Sequence, residues 1–197
     1  MPKIIDENER RRLIAEAVWT IAAEQGLDKA SIRAVATKSG LSVGSIQHSF
    51  HSQEDLRRFA MELVVNDVTK RLSIPRPTGK HSKAEHIVEL LLETLPLDSK
   101  RLGEARIWAA FSTAALFDLQ LAPYNAKMNS LLHEFCHACV TQLGGSPSTR
   151  DAQTLQRDAL CLQALLDGLT VNLLADPSPS NRRLAESALR AHIHSLL

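Results

Sequence analysis

Apolar residues recur at intervals of three and four along nearly the whole chain, and no stretch shows the strict alternation of a half-buried strand. That period predicts α-helices, each with one side turned toward a core. Glycine and proline are few, at 8 each in 197 residues, and they separate the periodic stretches. The pattern therefore predicts an all-α protein of about nine helices. The second follows Ser31, and the others lie near residues 7–25, 42–48, 52–73, 83–94, 99–117, 122–143, 149–175 and 180–196.

Two of the predicted helices, between Ser31 and Phe50, are too short to be stable alone. Ser31 and Ser42 are suited to cap their N-termini, and Gly40 supplies the backbone freedom for a tight turn between them. Two short helices joined by such a turn form a helix-turn-helix, which places its second helix in the major groove of DNA. Tight helix pairs also occur in bundles that bind no DNA, so the spacing alone leaves that alternative open.

The second of these short helices has the side chains of a DNA reader. Ile46 is its one large inward-facing residue, and the others are small or polar. Glutamine pairs with adenine edges, serine reaches bases or phosphates, and valine contacts the thymine methyl group. The outward-facing residues are Ser42, Val43, Gly44, Ser45, Gln47 and His48.

The run SIRAVATKSGLSVGSIQHSFHSQEDL, residues 31–56, resembles the helix-turn-helix of the TetR family of bacterial transcriptional regulators at nearly every apolar, glycine and serine position. The resemblance implies a DNA-binding domain at 1–52, a connecting helix and linker at 53–82, and an effector-binding and dimerisation domain at 83–197. It also implies a repressor that binds a palindromic operator as a homodimer and is released by a small-molecule effector.

Three positions depart from the family pattern. Gln47 and Ser49 stand where the family usually has aromatic residues, and Gln53 stands where it has a lysine. The family residues grip the DNA backbone, so their loss weakens binding unless neighbouring cations such as Lys38 compensate. The alternative is that Gln47 reads a base. The candidate DNA-binding residues are Ser31, Arg33, Ser42, Val43, Gly44, Ser45, Gln47, His48, His51 and Gln53.

The second half of the chain resembles the BetI-like branch of the same family at 95–116 and 164–177. The eighth predicted helix is apolar over so much of its circumference that it is expected to be buried on more than one side. Two such helices from each of two copies would form a four-helix interface with two-fold symmetry. The alternative is that the stripe is internal core. The residues expected at the interface are Leu155, Leu162, Leu166, Leu169, Leu173, Leu189 and Ile193.

Most of the few aromatic residues cluster between positions 108 and 135. Apolar and aromatic side chains with a few polar groups are typical of small-molecule pockets, and aromatic faces also suit a cation. Plain core packing is the alternative for each residue. The candidate effector-binding residues are Trp108, Phe111, Phe117, Tyr124, Met128 and Phe135.

A different sensor is conceivable in the segment HEFCHAC, because His133, Cys136 and His137 share one side of a helix. Such ligands bind zinc or copper, and a regulator of the same fold that senses a metal or a redox change is the alternative function. No fourth ligand is evident, and helical cysteines are often small buried residues. The main prediction therefore includes no metal and no cofactor.

Composition and charge exclude several other classes of protein. Residues 1–80 carry 13 Lys and Arg against 10 Asp and Glu, a mild excess that permits DNA binding. No apolar run approaches the roughly 18–20 residues that span a membrane, the N-terminus has no signal-peptide core, and three cysteines give no disulfide framework. We expect a cytoplasmic protein without membrane contact. Catalytic motifs such as G-x-S-x-G or a P-loop are lacking, so an enzyme is not expected.

Overall fold

The computed structural model describes residues 6–72, 82–144 and 151–197. These residues contain nine α-helices, a short 3-10 helix at Leu27–Lys29 and no strand, which confirms the all-α prediction. Apart from Ser82, the predicted linker at 75–82 lies outside the described residues, as does the predicted start of the eighth helix at 149. The helices are α1 Glu7–Gln25, α2 Ile32–Ser39, α3 Val43–Ser49, α4 Gln53–Arg71, α5 Lys83–Leu92, α6 Ser99–Ala115, α7 Ala122–Leu143, α8 Ala152–Ala175 and α9 Pro179–Ser195.

Short polar side chains fix where many of these helices begin. The backbone N–H of Ala34 donates to Ser31 Oγ at the start of α2, and the N–H of Ser45 donates to Ser42 Oγ at the start of α3. Ser52 caps α4, since its Oγ accepts a hydrogen bond from the N–H of Asp55. The side-chain hydrogen bond from Ser52 to the Asp55 carboxylate holds the pKa of Asp55 below its ordinary value. These bonds satisfy N–H groups that have no partner inside the helix.

The described chain packs as two units, each with its own core. The first unit consists of the residues up to Asp67 together with Arg106–Asn125. Its α1, α2 and α3 pack around fully buried Ile14, Val18 and Ile46. Trp19 Nε1 donates to the backbone oxygen of Ala60 over 2.9 Å, which joins α1 to α4.

The second unit consists of Val68–Ala105 and Ala126–Leu197. Its core unites side chains of α5, α7, α8 and α9, including Ile87, Leu91, Val140, Leu166 and Ile193. Helices α4, α6 and α7 each have residues in both units, so the packing units interleave along the chain. The boundaries 1–52, 53–82 and 83–197 stay a prediction about which segments act together.

Arginine pairs hold the elements of the second unit together. Arg71 Nη2 lies 2.7 Å from Glu104 Oε2, and this bond, together with neighbouring carboxylates, raises the pKa of Arg71. Arg190 Nη1 lies 2.7 Å from Glu85 Oε1 and joins α9 to α5. Since these pairs are partly desolvated, we expect them to contribute more than the small stabilisation of a fully exposed pair.

Candidate functional site

The turn between α2 and α3 is held by glycine and by a short core. Gly40 adopts the left-handed conformation at φ 70°, which a residue with a Cβ adopts only with strain. The N–H of Leu41 then donates to the oxygen of Ala36 over 3.2 Å and closes the turn. Val35, Ala36 and Ile46 are buried beneath it. Both helices are thereby anchored on one side.

The other side of α3 is exposed to solvent, and its residues are mostly small. Gln47, His48 and Gly44 are exposed, and Val43 is 38% exposed. A Cβ added at Gly44 would meet no atom within 4 Å. Ser42 is exposed although its oxygen caps the helix, and Ser45 is partly exposed. All six residues singled out on this helix therefore lie on or beside its free side, as a helix that reads base edges in the major groove requires.

The candidate DNA-binding residues around α3 differ in their exposure and in whether they already bond to the protein. Arg33 and His51 are exposed, whereas Ser31 is partly buried and serves as a cap. Gln53 Nε2 donates to the backbone oxygen of Ala30 over 3.3 Å, so this residue ties the start of α4 to the segment before α2. Lys38 Nζ lies 3.4 Å from Glu24 Oε2, which offsets its charge in part.

Sequence reasoning missed a contact that joins α4 to α7 within the first unit. The Arg58 guanidinium lies 5.4 Å from the centre of the Tyr124 ring. It also pairs with Asp55 over 2.9 Å. The sequence predicted Tyr124 only as an effector contact. The spacing of apolar residues cannot predict its contact with Arg58, because the two residues are far apart in the sequence. The contact connects the helix that follows the DNA reader with the first turn of α7.

The six residues expected at an effector site fall in both units. Phe111 is buried at 1% exposure, Trp108 and Tyr124 are partly exposed, and Phe117 is 87% exposed. These four belong to the first unit. Met128 and Phe135 belong to the second unit, where Phe135 packs against the core. That the six line one chamber stays a prediction.

Most of the side chains expected at a dimer interface are buried by their own chain. Leu162, Leu166, Leu173, Leu189 and Ile193 are at most 2% exposed, and Leu155 and Leu169 pack against the same core. Side chains that are already enclosed offer no surface to a second copy, so the five buried residues form the internal core that was the alternative. Leu155 and Leu169 are partly exposed, and their place at an interface stays a prediction.

The exposed apolar residues of α8 and α9 lie at other positions, and we call them the outer face. Helix α8 combines a mean hydropathy of 1.3 over 18 residues with burial of only 22% of that window, which by length and composition alone would also suit a membrane span. Leu160 and Val171 are each 59% exposed, and Leu184 is 66% exposed. The outer face consists of Leu160, Ala164, Gly168, Val171, Leu184, Ala188 and Ala191.

The metal-sensing alternative is not favoured. Cys136 and Cys139 are fully buried, and burial raises the pKa of each thiol to about 12. Protonated thiols are poor metal ligands and poor nucleophiles. His133 Nδ1 lies 3.2 Å from Gln163 Oε1 instead of facing a cysteine. Across residues 6–72, 82–144 and 151–197, no three His, Cys, Asp or Glu side chains are close enough to hold a metal ion.

This burial predicts the reactivity of the three thiols. Cys136 and Cys139 are expected to react with Ellman's reagent at neutral pH only after the protein is unfolded, because the folded state keeps them protonated and enclosed. In the Cys161→Ser variant, which lacks the exposed cysteine, the folded protein should show no rapid reaction. Rapid reaction of that variant would contradict the buried positions of Cys136 and Cys139.

A glycine-turned pair of short helices that presents a small, polar helix to solvent defines a helix-turn-helix DNA-binding protein. Residues 14–58 match the family model for bacterial regulatory proteins of the tetR family, and residues 83–197 match the model for the C-terminal part of BetI-type transcriptional repressors. The chain belongs to the TetR family of DNA-binding transcriptional regulators.

Individual relatives agree with this assignment. The chain is 31% identical to the HTH-type transcriptional regulator PksA of Bacillus subtilis, over all of this chain and 94% of that protein. The crystal structure of a transcriptional regulator from Rhodococcus sp. Rha1 superimposes with a TM-score of 0.81 at 28% identity, covering 95% of each chain. A regulator from Saccharomonospora viridis in complex with choline has the same fold, with a TM-score of 0.77 at 20% identity over 95% of this chain and 97% of that one. These relatives are transcriptional regulators and not enzymes.

Proposed function

We propose that the protein is a cytoplasmic repressor that binds a palindromic operator as a homodimer and releases it when a small-molecule effector binds. The observation that carries the proposal is the free side of α3, where Val43, Gly44 and Gln47 face solvent above a buried Ile46. A helix of this shape enters the major groove without a change in its own packing.

The outer face supports the homodimer. Monomeric proteins seldom leave large apolar patches exposed, and this chain exposes apolar residues on both α8 and α9, which pack against each other. A second copy covers the outer face best, because small residues such as Ala164, Gly168 and Ala188 let helices approach closely. Two-fold symmetry then presents two copies of α3 to half-sites about one DNA turn apart.

Release by an effector requires a conformational equilibrium. An effector shifts that equilibrium only if it binds the conformation with low DNA affinity more tightly. Choline in the Saccharomonospora viridis regulator supports an effector of small-molecule size for this chain. The contact of Arg58 with Tyr124 offers a route to the DNA reader, since it links α4 to α7 within the first unit.

Footprinting on the DNA next to the protein's own gene, repeated over a range of salt concentrations, tests the proposal. We expect a protected palindrome whose affinity falls steeply with salt, because phosphate contacts release counterions. Transcription from that promoter should fall when the protein is added. Protection without symmetry would argue against the dimer, and absence of protection at every site would argue against an operator there.

Gln47→Ala distinguishes base reading from backbone contact. We expect the variant to lose about 1–3 kcal/mol on the best operator and to discriminate less at one base pair of each half-site, because a bidentate glutamine–adenine pair is lost. Gln25→Ala, at an exposed glutamine that ends α1, is the matched control and should change nothing. A uniform loss over all sequences would show instead that Gln47 contacts only phosphates.

A further inference from the structure

A cavity of about 290 Å³ lies in the first unit, where the end of α3 meets α1 and α4, and it is partly open to solvent. Its lining includes Arg11 of α1, Ser49 at the end of α3 and His51 just beyond it. The side chains of these three residues form no hydrogen bond or ion pair with any other described residue. Each of them can donate hydrogen bonds, so the cavity is lined by donors that the described part of the chain does not itself use.

The two carboxylates in the same lining are directed to a different arginine. Asp55 Oδ1 lies 2.9 Å from Arg58 Nη2, and Glu62 Oε1 lies 3.8 Å from Arg58 Nε. The charge of Arg58 is thereby offset from two sides, whereas Arg11 has no counter-charge among the described residues. The side of the cavity next to Arg11 is therefore the positive one, and it suits an anion.

Arg11 is exposed, yet an aromatic ring holds its side chain in place. The guanidinium carbon lies 4.4 Å from the centre of the Phe59 ring, and the centre of that ring lies 5.0 Å from that of Phe50, with both phenylalanines buried. A guanidinium stacked on a ring keeps the N–H groups at its edge available for hydrogen bonds. Those N–H groups match the oxygen atoms of a phosphate group, with which they form two parallel bonds.

The cavity lies where the backbone of a bound DNA duplex is expected. A recognition helix contacts base edges through its N-terminal residues. Helix α3 has 7 residues and is about 10 Å long, while the major groove is about 12 Å wide. The other end of α3 therefore comes close to a phosphate strand at the edge of the groove, and Ser49 and His51 belong to that end.

Two residues that the sequence offered for holding the DNA backbone are engaged within the protein. Gln53 Nε2 donates to the backbone oxygen of Ala30, and Lys38 Nζ lies 3.4 Å from Glu24 Oε2. Arg11 is engaged with no carboxylate of the described residues, so it is the better-placed cation for a phosphate on this side of α3.

We infer that Arg11, Ser49 and His51, which we call the phosphate clasp, hold one phosphate group of the DNA backbone in each half-site. The inference rests on the DNA binding of the function proposed above and adds the residues that fix the protein's position along the backbone. The Arg11 guanidinium pairs with two phosphate oxygens, and the Ser49 hydroxyl and the N–H of the His51 ring donate to the same group. Contacts of this kind position a protein on DNA and carry no sequence information of their own.

The salt dependence of DNA binding tests the clasp, with fluorescence anisotropy on the operator and on an unrelated duplex. Arg11→Gln should weaken binding to both duplexes by roughly tenfold per half-site at about 0.1 M salt, because each lost phosphate contact releases about 0.9 fewer counterions. The slope of log affinity against log salt should become shallower accordingly. Arg12→Gln is the matched control and should change neither quantity, since this neighbouring exposed arginine already pairs with Glu9 and Glu16. An unchanged slope for Arg11→Gln would overturn the inference.

A scan with neutral methylphosphonate groups identifies the phosphate group itself. In the wild-type protein, neutralising one particular phosphate in each half-site of the operator should weaken binding by roughly tenfold. In Arg11→Gln, neutralising that same phosphate should have little further effect, whereas the other phosphates should count as before. His51→Gln, at an exposed position, should show the same coupling on a smaller scale. It replaces Arg11→Gln if loss of the contact with Phe59 unfolds that variant. If no phosphate couples to Arg11 or to His51, the clasp does not exist.

The same chemistry would also accept a free phosphate compound, and pyrophosphate is the probe for that source. Without DNA, millimolar pyrophosphate should raise the melting temperature of the wild-type protein no more than that of Arg11→Gln. A rise that depends on Arg11, together with no coupling to any operator phosphate, would assign the cavity to a free anion and overturn its assignment to DNA.

The unrelated duplex keeps this test separate from that of the proposed repressor function. If the wild-type protein protects a palindromic operator but Arg11→Gln leaves both salt slopes unchanged, only the clasp is wrong. If no operator is protected but Arg11→Gln still makes the slope on the unrelated duplex shallower, the proposed repressor function is wrong and the clasp stands.

Discussion

Val171→Asp is expected to make the protein monomeric at concentrations at which the wild-type protein is a dimer. Val171 is 59% exposed on the outer face, so the single chain tolerates a charge there. In a two-fold interface the substitution occurs twice, and an unpaired charge buried among apolar groups costs about 3–5 kcal/mol. A loss of that size weakens self-association at least about a hundredfold. Sedimentation velocity over a range of protein concentrations measures it directly.

Loss of the dimer should also weaken operator binding, because a monomer contacts only one half-site of the operator. Val43→Asp is the matched control, since it places the same charge at an exposed valine of α3. That variant should remain dimeric although it binds DNA poorly. If Val171→Asp sediments as the wild-type protein does, the outer face is not the dimer interface.

Gly44→Glu is expected to abolish operator binding while the fold stays intact. The position is exposed, lies in a regular helix and leaves open space for a side chain. On DNA that space belongs to the major groove, where a glutamate is both bulky and repelled by the phosphates. We expect affinity for the operator to fall to the level of unrelated DNA, at least about a thousandfold below the wild-type value. Fluorescence anisotropy with labelled operator measures this change.

Gly44→Ala separates the effect of the glutamate from that of losing glycine. Alanine is more favourable than glycine by about 0.5–1 kcal/mol in a helix interior, and Gly44 lies in the first turn, so this variant should unfold at the wild-type temperature or slightly above it. It should retain most of its operator affinity, because a methyl group is small. If Gly44→Glu binds the operator normally, α3 does not enter the groove in the orientation proposed here.

The positions of the helices were predictable because their signals are local. Ser31 and Ser42 each cap the helix that the sequence assigned to them, and Gly40 forms the turn. The exposed side of α3 was predictable for the same reason. With one inward-facing residue, Ile46, in a helix of 7 residues, the remaining side chains have few other directions.

The surroundings of α8 were not predictable from its pattern. A helix that is apolar around most of its circumference does not show in its sequence which side its own chain covers. Leu166 and Val171 are both apolar, yet the first is buried and the second is open. Gln53 is a similar case, since its bond to Ala30 depends on how two distant segments meet. Long-range packing decided these positions, and periodicity contains little information about it.

Because the outer face is apolar, salt and temperature should affect self-association and DNA binding differently. From Leu160 to Val171, the exposed residues of α8 include no charged side chain. Assembly through such a surface responds little to ionic strength and weakens in the cold, as hydrophobic association does. Contacts with phosphates behave in the opposite way, because salt is their main competitor. If the outer face is the dimer interface, a rise in salt concentration should therefore release intact dimers from the operator, whereas cooling should dissociate the dimer itself.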